Sequence, residues 1–150
     1  MTDTASMLPA LEEALKQSGE IALPAYGFSM KPPLSKADAL VIKSAAVCRP
    51  RWGSIIVFKR FDRWVAHRVI FRAGRTWITK GDAVKAVDYP FVRDCEIVGV
   101  VGAYLMGNVT VDLANGRARI GAWARACAGL LVGAAWAGVQ WVRRVFRSGR

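Results

Sequence analysis

The chain reads as a mainly β, antiparallel fold with a short N-terminal helix and a C-terminal helix, and three observations predict it. Between Glu20 and Leu113, short runs rich in Val, Ile, Phe and Trp recur. Gly53, Gly74, Gly81, Gly107 and Pro50 stand between or at the ends of these runs, where turns belong. No helical pattern of about 10–15 residues separates the runs, which argues against a parallel α/β sheet. A 53% apolar, 22% charged composition excludes wholesale disorder. A chain of 150 residues is long enough for one domain with its own core.

The N-terminal unit, 1–19, lacks both the basic start and the apolar run of a signal peptide. Ser6 instead precedes Leu8, Leu11, Ala14 and Leu15 at helical spacing, and Ser18-Gly19 supplies a stop. This predicts a short amphipathic helix over 7–17. In the β-rich unit, 20–114, the expected strands are Ile21–Tyr26, Ala39–Ser44, Ser54–Lys59, Trp64–Phe71, Thr76–Thr79, Ile97–Leu105 and Asn108–Leu113.

The final segment, 120–147, reads as an apolar and basic helix. Within it Ala126–Val142 runs for 17 residues without a formal charge, near the lower limit of about 17 for a membrane span. Trp123, Trp136 and Trp141 lie near its ends, as interfacial aromatics do. Gly129, Gly133 and Ala137 form a small-residue stripe suited to close helix approach and a helix-mediated homo-oligomer. Membrane association through 120–147 is therefore expected, as a span or as an interfacial helix held by arginines on anionic headgroups. Arginines flank both ends, so the sequence sets no orientation.

Charge is uneven along the chain. The formal net charge is +11, yet residues 1–20 carry −3 and residues 115–150 carry +7 with no acid. Such a tail suits anionic lipid or nucleic acid, and its apolar filling favours lipid. Cys48, Cys95 and Cys127 are odd in number and have no CxxC spacing, and there is one histidine. No disulfide framework, metal site or cofactor is expected. The three cysteines read as buried packing residues.

Three stretches carry chemistry. Gly27-Phe28-Ser29-Met30-Lys31-Pro32 follows an apolar strand and suggests a tight turn presenting the Ser29 hydroxyl, although such serines ordinarily cap their turns. His67-Arg68 interrupts an apolar strand, and alternation puts His67 on one face with Val65, Val69 and Phe71. His67 is then either a satisfied core histidine or a general base, a role suited to a side chain that titrates near neutral pH. Thr79-Lys80-Gly81-Asp82, followed by Asp88, is either a hairpin tip or the source of a carboxylate that orients the imidazole.

The order and spacing of these stretches resemble the S24/S26 peptidase superfamily, and within it signal peptidases of the archaeal and endoplasmic-reticulum type. Gly27, Ser29, Met30 and Pro32 match the nucleophile box. His67, Arg68 and Val69 match the base box, and Thr79, Lys80, Gly81 and Asp82, with Asp88 downstream, match the acid box. The Ile97-Val98-Gly99 run resembles the family's closing strand, so the likeness covers about residues 21–104.

The resemblance implies a signal-peptidase/LexA-like catalytic fold and a serine endopeptidase. Ser29 would be the nucleophile, His67 the general base, and the Ser29 backbone N–H an oxyanion donor. Both Asp82 and Asp88 match the acid region, with Asp88 favoured as the partner of His67 and Asp82 as network support. Cleavage of a precursor protein or peptide after small residues is implied, with no cofactor.

Two departures stand out. Gly27 occupies a position where the family often has a serine whose side chain can help hold the oxyanion. The N-terminal anchor usual in the family is not evident in this sequence. A cytoplasmic self-cleaving, LexA-like peptidase is the enzymatic alternative, but residues 1–28 contain no Ala-Gly or Cys-Gly bond to cut. A non-enzymatic basic β-domain that binds nucleic acid is a third, less favoured reading. It rests on the Arg, Trp and Phe interleaved at 51–52, 58–64 and 71–77.

Overall fold

The computed structural model describes residues 4–113, 115–117 and 119–130. Helix α1 spans Thr4–Ser18 and is followed by eight strands. These are β1 (Glu20–Pro24), β2 (Ala39–Ser44), β3 (Ile55–Arg60), β4 (Arg63–Ala73), β5 (Thr76–Lys80), β6 (Val92–Arg93), β7 (Ile97–Met106) and β8 (Val109–Asp112). A 3₁₀ turn, Asp94–Glu96, leads into β7. Residues 116–117 and 119–130 are helical, here called α2. Every strand pairing is antiparallel, in the order β1-β2-β7-β3-β4-β5-β6, and β8 also pairs with β7. The fold is mainly β with a helix at each end, as expected.

The strand expected over Ile21–Tyr26 begins at Glu20 and ends at Pro24, so the chain is already out of the sheet when it reaches Gly27. Strand β6 escapes the sequence because two residues cannot display an alternation. Helix α2 starts before residue 120 and lies on the sheet. A methyl group at Gly53 would stand 2.8 Å from the Arg119 carbonyl and 3.0 Å from Trp123 Cβ.

The sheet is apolar on both faces, so β3 reads as a continuous buried run. Ile55 and Val57 join Leu15 of α1, Met30, Ile42 and Val101 in one core cluster. Ile56 and Phe58 point the other way, into a second cluster with Val69, Trp77, Val92 and Val100. Strand β4 follows the same alternation until a bulge between Val69 and Phe71 shifts its register against β5. The expectation that Phe71 shares the face of His67 therefore fails. Val69 is fully buried, whereas Phe71 is 47% exposed and packs on Trp52, which stacks on Trp123 of α2.

The cysteine reading also needs correction. All three thiols are free, Cys95 is exposed, and Cys48 and Cys127 are half-buried. Burial pushes the Cys127 thiol above its usual range, while the positive charge of Lys80 pulls it back in part. Among the described residues no helix is long and apolar enough to cross a membrane. Most of the expected span, residues 131–142, and most of the small-residue stripe lie outside the described residues.

Candidate active site

Strand β4 presents His67 and Arg68 on opposite faces of the sheet, as successive residues of a strand must be. Both are buried, at 8% and 4% exposure. Each needs a polar partner, since an unsatisfied polar group is costly to bury. The loop after β5 supplies one carboxylate to each face. Asp88 Oδ2 lies 2.7 Å from His67 Nδ1 and accepts the Thr79 hydroxyl at 2.6 Å. The Asp88 backbone N–H donates to the Thr79 carbonyl at 2.8 Å, which holds the loop to the end of β5.

Asp82 is bound on the other side. Arg68 Nε donates to Asp82 Oδ1 at 2.8 Å and Arg68 Nη2 donates to Asp82 Oδ2 at 2.6 Å, in the fork geometry of a bidentate pair. Arg68 Nη1 also donates to the Gly53 carbonyl at 2.7 Å. Of the two candidate acids, then, Asp88 contacts the imidazole and Asp82 serves the guanidinium.

Ser29 approaches from the connection between β1 and β2. Gly27 has φ +104°, a conformation that a residue with a Cβ rarely adopts, and it turns the chain out of the strand direction. The turn then closes with Lys31 N–H donating to the Phe28 carbonyl at 3.2 Å and Leu34 N–H to the Met30 carbonyl at 3.1 Å. Met30, 6% exposed, plugs into the first core cluster and anchors the turn, while Pro32 stays exposed. Ser29 is half-buried, and its carbonyl accepts the Ala83 N–H at 2.8 Å, which ties the turn to the loop after β5.

Gly81 is where the two meet. A methyl group there would stand 2.7 Å from the Ser29 carbonyl oxygen, 3.0 Å from Ser29 Cβ and 3.1 Å from His67 Nε2. Ser29 and the free nitrogen of the imidazole therefore border the same small space, which stays open because residue 81 has no side chain.

A cleft of about 520 Å³ opens beside this space. Ala25–Gly27 and Arg63–Ala66 line it, together with Ser29 and His67. Met30, Leu34, Leu40 and Trp64 give it an apolar lining. Among the described residues, β4 pairs along Arg63–His67 only with β3, because β5 begins its pairing at Arg68. That edge is free to take an extended chain.

Lys80 shares a cross-strand position with Arg68 and is 2% exposed. It therefore lies on the face away from His67, where its Nζ donates to the Gly81 carbonyl at 3.2 Å. The sequence did not single out Thr79 as a contact of the acid, nor the Gly53 carbonyl as a partner of Arg68. Alternation along β5 could have suggested Thr79, which pairs with Val69 on the face of His67. Only the fold brings Gly53 to the guanidinium. Among the described residues no group of three His, Cys, Asp or Glu side chains could hold a metal. No protein-family model, curated protein or solved structure matches this chain.

Proposed function

We propose that the protein is a serine endopeptidase of the signal-peptidase type, cleaving a precursor protein or peptide after small residues at a membrane. The observation that carries this reading is the arrangement around His67. Its Nδ1 is 2.7 Å from a carboxylate, and its Nε2 borders the same space as the side chain of Ser29. An imidazole held in that way has a defined tautomer, with the proton on Nδ1 and a lone pair on Nε2. The free β4 edge and apolar cleft beside it suit an extended peptide.

In this mechanism His67 Nε2 takes the Ser29 hydroxyl proton as Oγ attacks the scissile carbonyl, and Asp88 stabilises the imidazolium that forms. The imidazolium then gives its proton to the leaving amine, which leaves an acyl-enzyme. Water, deprotonated by the same nitrogen, attacks the ester, and the acid product departs as Ser29 regains its proton. The Ser29 N–H makes no backbone hydrogen bond among the described residues and is the natural donor to the oxyanion.

The test is cleavage of a precursor bearing a small-x-small site, followed by sequencing of the new N-terminus. Wild type should cut after the second small residue. Ser29→Ala and His67→Ala should each lose on the order of 10³-fold or more in kcat with the fold intact. Wild-type turnover by either variant would reject the chemistry.

A further inference from the structure

A second cavity, of about 260 Å³, shares no lining residue with the catalytic cleft. The β2–β3 connection supplies Arg49, Arg51 and Ser54, and the first turns of α2 supply Arg119. Three guanidinium-bearing residues thus line one small space, and none of its lining residues is acidic. Arg49 and Arg51 are exposed at the rim, while Arg119 is half-buried.

Arg119 Nε is fully buried and has no hydrogen-bond partner among the described residues. The Arg119 charge therefore has no acceptor at Nε, and an anion that meets the guanidinium from the cavity side would offset it. Arg119 also belongs to the start of α2, where Asn115 Oδ1 accepts the Arg117 N–H at 3.1 Å and the helix dipole adds positive potential. A neighbouring cavity shares Ser54, Leu113 and Arg119, and Asp112, Arg125 and the Asp82-paired Arg68 also line it. Even with that acid included, cations outnumber anions around Arg119.

We propose that this cavity binds a phosphate group, either free or as the headgroup of an anionic phospholipid, between Arg49, Arg51 and Arg119. Phosphate suits the site better than a carboxylate. It offers three or more acceptor oxygens and as many as two negative charges, which suits a space lined by several guanidinium groups.

The test titrates the full-length protein with inorganic phosphate at constant ionic strength. It also floats the protein with vesicles of phosphatidylcholine alone or mixed with phosphatidylglycerol. Wild type should bind phosphate saturably, and both Arg119→Gln and the double variant Arg49→Gln/Arg51→Gln should bind about tenfold more weakly. Arg49 and Arg51 are exposed, so the double variant remains informative if Arg119→Gln impairs folding.

A preference for phosphatidylglycerol vesicles that both variants lose would assign the site to a lipid headgroup. Phosphate binding without that preference would assign it to free phosphate. Absence of saturable phosphate binding together with no vesicle preference, or variants that bind like wild type, would overturn the proposal.

Discussion

Two neighbouring residues on β4, His67 and Arg68, divide the polar chemistry of this protein between them. Because they face opposite ways, the two acids of the following loop cannot exchange roles, and replacing each should fail differently. Asp88→Asn keeps the shape but no longer holds the imidazole in one tautomer. In the proposed mechanism it should lower kcat by about 10⁴-fold while shifting the melting temperature little. Asp82→Asn leaves the Arg68 guanidinium, 4% exposed, without its counter-charge. It should cost roughly 3–5 kcal/mol in denaturant unfolding. Equal effects of the two variants on both measurements would contradict this division. Gly81→Ala is the complementary probe, since its methyl would lie 2.7 Å from the Ser29 carbonyl and 3.1 Å from His67 Nε2. It should reduce cleavage and also lower stability, because the closest clash is with backbone, whereas Gly74→Ala, with φ +60° but open space around the added carbon, should cost stability alone and spare cleavage.

At the scale of elements, β4 organises the site and α2 braces it from behind. The bulge after Val69 reverses the strand's outer half and sends Phe71 to Trp52 and Trp123. Trp123 Nε1 then donates to the Ile70 carbonyl at 2.8 Å, at the irregular position itself. Arg119 and Trp123 also close over Gly53, whose carbonyl is a partner of Arg68. Trp123→Ala removes a stacking contact and a hydrogen bond together, and should destabilise by about 2–3 kcal/mol in chemical denaturation. A loss below about 0.5 kcal/mol, the range of ordinary surface changes, would mean that α2 is not a structural part of the domain. Most strands were legible in advance because apolar alternation and Gly/Pro punctuation are local signals. The bulge was not, because strict alternation carries no mark of an inserted residue.

For the whole molecule, the packing of α2 changes where the C-terminal segment should be divided. Residues 119–130 include Trp123 and Ala126, which lie against the sheet or are buried, so a cut at residue 120 would strip part of the core. A cut after residue 130 is the cleaner test of membrane association. Protein lacking 131–150 should move from the membrane pellet to the soluble fraction with its unfolding midpoint preserved. An unchanged distribution would reject that segment as the anchor. The phosphate site proposed beside the start of α2 would survive this truncation, so phosphate binding and membrane association can be tested separately.

The antiparallel β architecture, the helix at each end and the three chemistry-bearing stretches were readable from the chain itself, because each rests on neighbours a few residues apart. The pairing of carboxylates with bases was not. Asp82 and Asp88 are 14 and 21 residues beyond Arg68 and His67, and which acid meets which base depends on how one loop folds around both faces of a strand. The arginine cavity is likewise invisible in sequence, because it joins residues 49 and 119 across the fold. Distances of that kind are set by tertiary packing, where side chains remote along the chain compete for the same space.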